Sequence, residues 1–335
     1  MNERTLSMEK AWNWKAFFFQ WEWLLCVIFM LIQIINSLLS PYYLNMDTFL
    51  SVPMNFLDKG FIVFPMMLVI ILGNIDISVG SIVAVSSVLM AIIYNAGVPM
   101  PWAIAAALGI GTICGGINGL LLVAFKELPA MIVTLATMTI YRGLAYIILE
   151  DRAAGGFPSW FAFFAWGYIG PIPFIGLVFS VAAVLFGMLL HKTAFGRSVY
   201  GMGSNALACT YSGVKTGRIV ITVGLLTGLM SAVCAVFLTS RMGSTRPNVA
   251  LGYELDVIAM VVLGGVSTSG GIGRIAGPLL AIFIIGFLNY GLGLQNVSAQ
   301  VILIILGALL VASVLVMNLR FNQKKPRKSS GLSNG

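Results

Sequence analysis

The chain has 335 residues, of which 59% are hydrophobic and only 9% are charged, with a formal net charge of +8. Its mean hydropathy is +0.98, whereas ordinary soluble domains contain roughly 25% charged residues. The composition excludes a soluble globular protein. It predicts an all-α integral membrane protein, because each helical pass needs about 20 apolar residues and most of the chain falls into such runs.

Residues 1–20 contain Arg4, Lys10 and Lys15, and we expect them to form a cytoplasmic N-terminal segment. No small-residue cleavage site follows it, so the first apolar run is interpreted as an uncleaved span rather than a signal peptide. Residues 21–319 are predicted to form a single transmembrane domain, and residues 320–335 a basic cytoplasmic tail. The tail is interpreted as a lipid-surface anchor and not as a nucleic-acid patch.

Long apolar runs predict seven ordinary spans along the chain. These are about Leu24–Ser40, Trp102–Ala124, Met131–Leu149, Ile172–Leu190, Ile219–Ser240, Ala276–Gly293 and Ala299–Asn318. Three shorter apolar pieces, Phe61–Leu72, Ser81–Asn95 and Val257–Val266, adjoin glycine-containing stretches. Each of these regions either crosses the membrane twice or dips into it and returns on the same side. We therefore expect a polytopic bundle of about ten transmembrane helices with Gly-broken or re-entrant segments.

The basic residues indicate the orientation of this bundle. Most of the 19 Lys and Arg residues fall in segments that share one side with the N-terminus. Because cytoplasmic loops carry an excess of Lys and Arg, both termini are predicted to be cytoplasmic. The same rule places the long polar loop 191–218 on the cytoplasmic face.

Small residues recur at four-residue spacing in two spans and predict close helix packing rather than substrate contact. They are Ala107, Gly111, Gly115 and Gly119 in one span and Gly224, Gly228 and Ala232 in another. A second pattern is a weak internal repeat, since Leu72–Gly80 aligns without gaps to Leu263–Gly271. Gly-interrupted segments in corresponding positions are typical of transporters, although chance similarity in Gly-rich sequence is the alternative.

The repeat and one polar span supply candidates for a translocation pathway. Asp76 lies between short apolar segments and is either a helix cap or a ligand-contacting carboxylate. Arg142 lies deep in its span, where it either faces the pathway or pairs with an acidic neighbour. The full set of candidates is Asp76, Ser78, Thr134, Thr137, Tyr141, Arg142, Ser267 and Ser269.

Sequence motifs for catalysis, nucleotide binding or metal binding are missing from the chain. There is no GxxxxGK(S/T) phosphate loop, no HExxH pair and no GxSxG elbow. The cysteines have no metal-ligand or CxxC spacing. We expect no catalytic residues, no cofactor, no metal site and no ATPase activity in this chain.

Four stretches together resemble one family. They are GNIDISVGS at Gly73–Ser81, TLATMTIYRGLA at Thr134–Ala145, TAFGRSVYGMGSNALACTYSGV at Thr193–Val214 and VVLGGVSTSGGIGRIAGPLLA at Val261–Ala281. The chain resembles the ribose-type (carbohydrate uptake class 2) permeases of bacterial ABC sugar importers, including the rhamnose and autoinducer-2 subgroup. The resemblance implies a permease dimer in the inner membrane, two cytoplasmic ATPase subunits and an extracytoplasmic sugar-binding protein.

The resemblance also implies a role for the polar loop. The family's E-A-A-x-x-x-G element, whose short helix contacts the ATPase, falls on Leu207–Gly213. Ala208 and Gly213 match it, but Leu207 and Cys209 depart from it, which favours a heterodimer with a second permease over a homodimer. The predicted coupling residues are Gly196, Arg197, Gly203, Asn205, Ala208, Tyr211 and Gly213.

The residues of this loop independently predict a short helix with an N-cap at Ser204 or Asn205 and an end at Gly213. The alternative is a solvated loop that only connects two spans. For the whole chain, the sequence predicts a sugar importer permease driven by separate ATPases. The competing function is an ion-coupled secondary transporter, for which only Asp76 offers a titrating carboxylate. Ribose, rhamnose and autoinducer-2 all stay open as substrates, and the sequence as a whole leans towards rhamnose and autoinducer-2.

Overall fold

The computed structural model describes residues 21–39, 43, 45–298, 300–305, 307–309, 311–312 and 315. The helices, in chain order, are α1 Trp21–Leu39, α2 Met46–Ser51, α3 Leu57–Ile71, α4 Val79–Asn95, α5 Met100–Ala124, α6 Ala130–Leu149, α7 Phe163–Trp166, α8 Phe174–Lys192, α9 Ala194–Tyr211, α10 Thr216–Met242, α11 Tyr253–Leu263 and α12 Ala276–Leu294. Short 3₁₀ helices occupy Val52–Asn55 and Ser159–Ala162. Two antiparallel pairings join β1 Ala154–Gly155 to β4 Ser244–Thr245 and β2 Tyr168–Ile169 to β3 Ile172–Pro173.

Six of these helices, α1, α5, α6, α8, α10 and α12, are long and apolar enough to cross a membrane. They match six of the seven ordinary spans predicted from sequence, so the polytopic helical fold is confirmed. A bent pair, Thr48–Asn55 with Leu57–Ile71, adds a seventh crossing if it forms one span. The last predicted span is described only in part, and residues 1–20 and 320–335 lie outside the described residues. The count of about ten helices stays a prediction.

Helices α5 and α10 pack through the two small-residue stripes. A Cβ on Gly115 would lie 2.6 Å from the Gly228 nitrogen, and one on Gly111 would lie 2.5 Å from the Ala232 Cβ. A Cβ on Gly224 would lie 2.5 Å from the Gly115 carbonyl oxygen. The stripes therefore face each other, and absent side chains allow backbone to touch backbone.

Helix α3 lies at the centre of the bundle. All of its residues are buried except Lys59, as expected for a helix that is apolar all round. Phe61 stacks on Phe237 of α10 with ring centroids 5.0 Å apart, and Phe64 stacks on Phe186 of α8 at 5.5 Å. The helix begins four residues before the predicted apolar piece, because the charged residues at its start are paired rather than solvated.

Those pairs tie α3 to α10 and α11. Asp58 accepts from Arg241 at 2.9 Å, and Lys59 contacts Asp256 at 2.5 Å. At the other end of α3, the Ile71 carbonyl accepts the Gly271 N–H at 2.8 Å, just beyond α11. Helices α3 and α11 therefore run in the same direction. We call the two ends of the bundle the Arg241 side and the α9 side.

The internal repeat has a structural counterpart. Helix α3 ends in a Schellman motif, with Gly73 at φ +80° and the Asn74 N–H donating to the Val69 carbonyl. Helix α11 ends in the same motif, with Gly265 at φ +88°. The left-handed residues are Gly73 and Gly265, whereas the ungapped alignment pairs Gly73 with Gly264. The predicted register is wrong by one residue at the helix ends, because the second helix ends one residue later relative to its polar turn.

That turn does follow the ungapped alignment. The Asp76 carboxylate accepts the Ser78 N–H at 2.8 Å, and the aligned Ser267 hydroxyl accepts the Ser269 N–H at 3.3 Å. Both links therefore contain a side-chain turn with its acceptor two residues before its donor. In the first link, α4 starts directly after the turn. In the second link, several more residues separate the turn from the start of α12.

Candidate functional site

The link between α3 and α4 is a buried polar turn built by Asp76. One carboxylate oxygen, Oδ1, accepts both the backbone N–H of Ser78 at 2.8 Å and the Ser78 hydroxyl at 2.6 Å. Asp76 is 5% exposed and Ser78 is fully buried. The carboxylate thus organises the entrance to α4 and lies near the positive end of that helix, a favourable place for a negative charge.

Asn118 of α5 extends this turn into a network. Its Nδ2 donates to the Ser78 hydroxyl oxygen at 2.7 Å, and the Tyr141 hydroxyl lies 3.1 Å from its Oδ1. The same hydroxyl lies 3.0 Å from the Cys114 carbonyl. Asn118 was not among the residues predicted from sequence, because it directly precedes Gly119 in a span assigned to helix packing. A side-chain amide within a long apolar span was the available signal.

The two threonines of α6 play different parts. The Thr134 hydroxyl lies 3.3 Å from the Ile75 carbonyl and 3.4 Å from the Ile77 N–H, so it holds the extended link on both sides of Asp76. Thr137 donates to the Thr134 carbonyl at 3.2 Å, within its own helix. Thr134 and Tyr141 therefore reach the Asp76 turn or its neighbour Asn118, whereas Thr137 satisfies its hydroxyl locally.

A cavity of about 20 Å³ opens beside this network. Its lining comprises Val69, Leu72, Asn74, Ile75, Asp76, Asn118, Gly119, Leu122, Ala130, Thr134, Val220, Val223 and Gly224. This volume holds about one water molecule and no sugar. The lining also places the end of α3 beside the first turns of α10, while Asp58 at its start meets Arg241. Helix α3 thus runs beside α10, from Arg241 towards the first turns of α10.

Arg142 lies apart from the Asp76 network. Its Nη1 donates to the carbonyls of Pro247 and Val249, both at 2.7 Å. None of the salt bridges among the described residues involves Arg142. The expected alternatives were a pathway residue or an acidic pair. In the structure Arg142 clamps the loop between α10 and α11, and its role in the pathway stays a prediction.

Ser267 and Ser269 do not line the Asp76 cavity. They lie in the link between α11 and α12, where the Ser267 carbonyl also accepts the Gly270 N–H at 3.0 Å. This link contacts α9 through its glycines. The structure therefore divides the predicted pathway residues among three places instead of gathering them in one.

The polar loop 191–218 is more helical than its glycines suggest. Gly196 and Gly203 lie inside α9, which begins well before the N-cap predicted at Ser204 or Asn205. A Cβ on Gly196 would collide with the Leu190 carbonyl, so this glycine permits the close reversal from α8 into α9. Arg197 follows it and is exposed.

Helix α9 breaks at Asn205, whose φ and ψ are −160° and 97°. The Asn205 Oδ1 accepts the Ala208 N–H at 3.0 Å, so Asn205, and not Ser204, caps the residues that follow. A Schellman motif ends them, with Gly213 at φ +80° and the Val214 N–H bonded to the Cys209 carbonyl. We call residues 206–211 the α9 tip.

The α9 tip leaves two large side chains uncovered by the rest of the chain. Leu207 is 71% exposed and Tyr211 is 89% exposed. Four residues apart on a helix, they share one face. Cys209, on the opposite face, packs towards the core and limits the space beside Gly201. The tip is therefore anchored on one face and bare on the other.

The family described as the branched-chain amino acid transport system / permease component matches residues 51–314. The chain belongs to this permease family. The ribose import permease protein RbsC of Bacillus subtilis is 42% identical over 288 residues, which are 85% of this chain and 89% of that protein. No solved structure gives a significant match.

A second relative of the permease is the autoinducer 2 import system permease protein LsrD. The Escherichia coli protein is 33% identical over 301 residues, covering 88% of this chain and 91% of that protein. The Salmonella typhimurium protein is 33% identical over 305 residues, covering 89% and 91%. These matches confirm the resemblance to ribose-type permeases of ABC importers and the multi-pass inner-membrane location inferred from sequence.

On its Arg241 side the permease contains a larger cavity of about 580 Å³. It is lined by Leu238, Arg241, Met242, Ser244, Thr245, Arg246, Asn248, Val249, Ala250, Leu251 and Tyr253. Arg241 and Tyr253 are fixed by Asp58, whereas Arg246 and Asn248 are exposed. The volume lies in the range of small-molecule sites.

Replacing Asp76 by asparagine is expected to leave transport by the permease near normal. The asparagine Oδ1 can accept the same hydrogen bonds from Ser78, so the turn into α4 is kept. Asp76→Ala removes this acceptor, and we expect about a tenfold lower uptake because leaving the buried donors of Ser78 unpaired costs about 1–3 kcal/mol. Uptake by vesicles containing equal amounts of each variant measures the difference. Loss of uptake in Asp76→Asn itself would mean that the charge is required.

Proposed function

We propose that this chain is the transmembrane permease subunit of an ABC importer that moves a monosaccharide or related small polyol into the cytoplasm. The observation that carries the proposal is the near full-length identity of 42% to a ribose import permease, joined by 33% to autoinducer-2 permeases. Ribose and autoinducer-2 are therefore the first substrates to test, and rhamnose follows as the sequence-based expectation. The chain supplies the route, and separate ATPase subunits supply the energy.

The α9 side faces the cytoplasm in this proposal. The loop 191–218 carries Lys192, Arg197, Lys215 and Arg218, which agrees with the excess of positive charge in cytoplasmic loops. The α9 tip would then dock on an ATPase subunit. Two features support this docking. The tip is a short helix capped at both ends, and a rigid element of this kind can transmit a displacement. One of its faces is anchored, and the other is apolar and exposed.

The polyol would enter from the Arg241 side. The cavity of about 580 Å³ there offers exposed donors on Arg246 and Asn248 for sugar hydroxyls. The cavity of about 20 Å³ beside Asp76 is too small for a sugar. This contrast corresponds to a route that is accessible from outside and closed on the α9 side, one of the two states that alternating access requires.

The proposed assembly contains a second permease, two ATPase subunits and an extracytoplasmic sugar-binding protein. A heterodimer is favoured over a homodimer, because Leu207 and Cys209 replace the acidic residue and the alanine of the family's coupling element. Such an unequal pair would have one stronger and one weaker ATPase contact. Mass determination of the complex purified from native membranes tests this point.

Energy coupling is tested by transport into right-side-out vesicles that hold a constant ATP concentration. Radiolabelled ribose, autoinducer-2 and rhamnose are supplied with the co-purified binding protein. We expect uptake of one of them to require ATP and the binding protein and to persist when an uncoupler removes the proton gradient. Collapse of uptake under the uncoupler would reject the proposal and favour an ion-coupled transporter that uses Asp76.

A further inference from the structure

Three backbone segments meet directly behind the α9 tip. The Gly271 N–H donates to the Ile71 carbonyl at 2.8 Å, joining the link after α11 to the end of α3. Gly203 of α9 lies against both. A Cβ on Gly203 would collide with the Ile71 carbonyl oxygen and would lie 2.5 Å from the Gly271 nitrogen. Backbone therefore touches backbone on each side of Gly203.

The contact is equally close when viewed from the link after α11. A Cβ on Gly270 would lie 2.8 Å from the Gly203 carbonyl oxygen, and one on Gly271 would lie 2.5 Å from the Ser204 hydroxyl. Gly270 and Gly271 also have φ values of +83° and +74°, which glycine adopts without strain. No flexible side chain separates the segments, so a displacement of α9 at Gly203 must move its neighbours.

Tyr200 adds a hydrogen bond to this contact. Its hydroxyl donates to the Gly273 carbonyl at 2.5 Å, one helical turn before Gly203. Burial raises the pKa of the Tyr200 hydroxyl above its usual range, so it stays protonated and able to donate at physiological pH. The His191 ring stacks beside it with centroids 6.4 Å apart. Tyr200 and Gly203 thus hold the same link at two points.

The Gly203 contact touches both Gly-broken links, which are the link between α3 and α4 and the link between α11 and α12. Ile71 is the last residue of α3 and leads through Gly73 into the Asp76 turn. Gly270 to Gly273 belong to the link between α11 and α12, which contains the equivalent serine turn. On the other side, Asn205 lies two residues after Gly203, and the α9 tip follows it directly. A single contact therefore lies between the exposed tip and both halves of the repeat.

We propose that Tyr200 is a positioning residue for transport, which together with the Gly203 contact makes one displacement of the α9 tip act on both Gly-broken links at once. The proposal rests on the proposed function, since it requires an ATPase that moves the tip. It assigns to Tyr200 a role that does not involve the sugar. Breaking the link should therefore reduce the amount of sugar moved per ATP without stopping ATP hydrolysis.

The test compares Tyr200→Phe with Ser198→Ala in the complete complex. Each variant removes one hydroxyl from α9, but the Ser198 hydroxyl donates only to the Ala194 carbonyl of its own helix, at 3.0 Å. Uptake of whichever probe the wild-type complex transports, among ribose, autoinducer-2 and rhamnose, is divided by ATP hydrolysed. We expect this ratio to fall about fivefold in Tyr200→Phe, the effect of losing one buried hydrogen bond, and to be unchanged in Ser198→Ala.

A second pair tests the backbone contact. Gly203→Ala inserts a methyl group between α9, the end of α3 and the link after α11, which together form the Gly203 junction. A Cβ on Gly187 of the neighbouring helix has its nearest neighbour at 3.8 Å. We expect Gly203→Ala, and not Gly187→Ala, to lower uptake per ATP. An unchanged ratio in Tyr200→Phe, or uptake and hydrolysis falling together in both junction variants, would overturn the inference. A wild-type complex without ATP-dependent uptake would instead overturn the proposed function, and this inference with it.

Discussion

Replacing Leu207 by glutamate is expected to weaken ATPase binding and to lower ATP-driven uptake by about thirtyfold, the effect of removing an interface hot spot worth about 2 kcal/mol. Leu207 and Tyr211 form the bare apolar face of the α9 tip. We expect an apolar surface of the ATPase to cover this face, and a carboxylate buried there without a partner would be costly. Co-purification of the ATPase with each permease variant, followed by uptake, measures the effect.

This substitution is informative because it also restores the acidic residue of the family's coupling element. The matched control is Ala206→Glu, which adds the same carboxylate to the first turn of the tip, about 100° around the helix from Leu207. We expect the control to bind the ATPase normally. If the Leu207→Glu permease instead binds the ATPase as well as the wild type or better, the ATPase recognises an acidic residue at this position. The assignment of an apolar docking surface would then be wrong.

Replacing Gly213 by valine is expected to reduce uptake at least about tenfold while leaving membrane insertion intact. Gly213 has φ +80° and forms the Schellman end of the α9 tip. A side chain other than glycine pays about 1–2 kcal/mol in this left-handed conformation, and a β-branched residue is especially unsuited to it. A Cβ here would meet nothing within 4 Å, so the effect is conformational and not a steric clash.

The control for this prediction is Gly213→Asn. Asparagine tolerates the left-handed conformation and often ends helices in the same way. We expect Gly213→Asn to transport close to the wild-type rate and Gly213→Val to fail, at equal amounts of protein in the membrane. Equal uptake by the two variants would show that the shape of this helix end is unimportant for transport.

Features that depend on local chemistry were predictable from the sequence. Apolar length located six membrane-spanning helices, and the small-residue stripes identified packing surfaces. The capping rules predicted a short helix ending at Gly213. These predictions succeed because about 20 apolar residues, a left-handed glycine or an Asn cap each act within one helix.

Features that depend on partners in space were not predictable. Asn118 belongs to the Asp76 network only because α5 passes beside the start of α4. Arg142 was expected to face the pathway or to pair with an acid, and its guanidinium binds carbonyls of a loop about 105 residues further along the chain. The register of the repeat was wrong by one residue, since ungapped matching cannot show where each helix ends. Tertiary contacts decide all three.

The seam between α5 and α10 limits how the protein can change shape. Two helices that touch through Gly111, Gly115 and Gly228 cannot slide past each other without collisions between backbone atoms. A solute cannot pass between them for the same reason. We therefore expect them to move as one rigid body, with the rotations of transport occurring outside this seam, for example at the left-handed glycines Gly73 and Gly265. Distances between labels on α5 and α10 should stay constant through the cycle, while distances from α10 to α4 change.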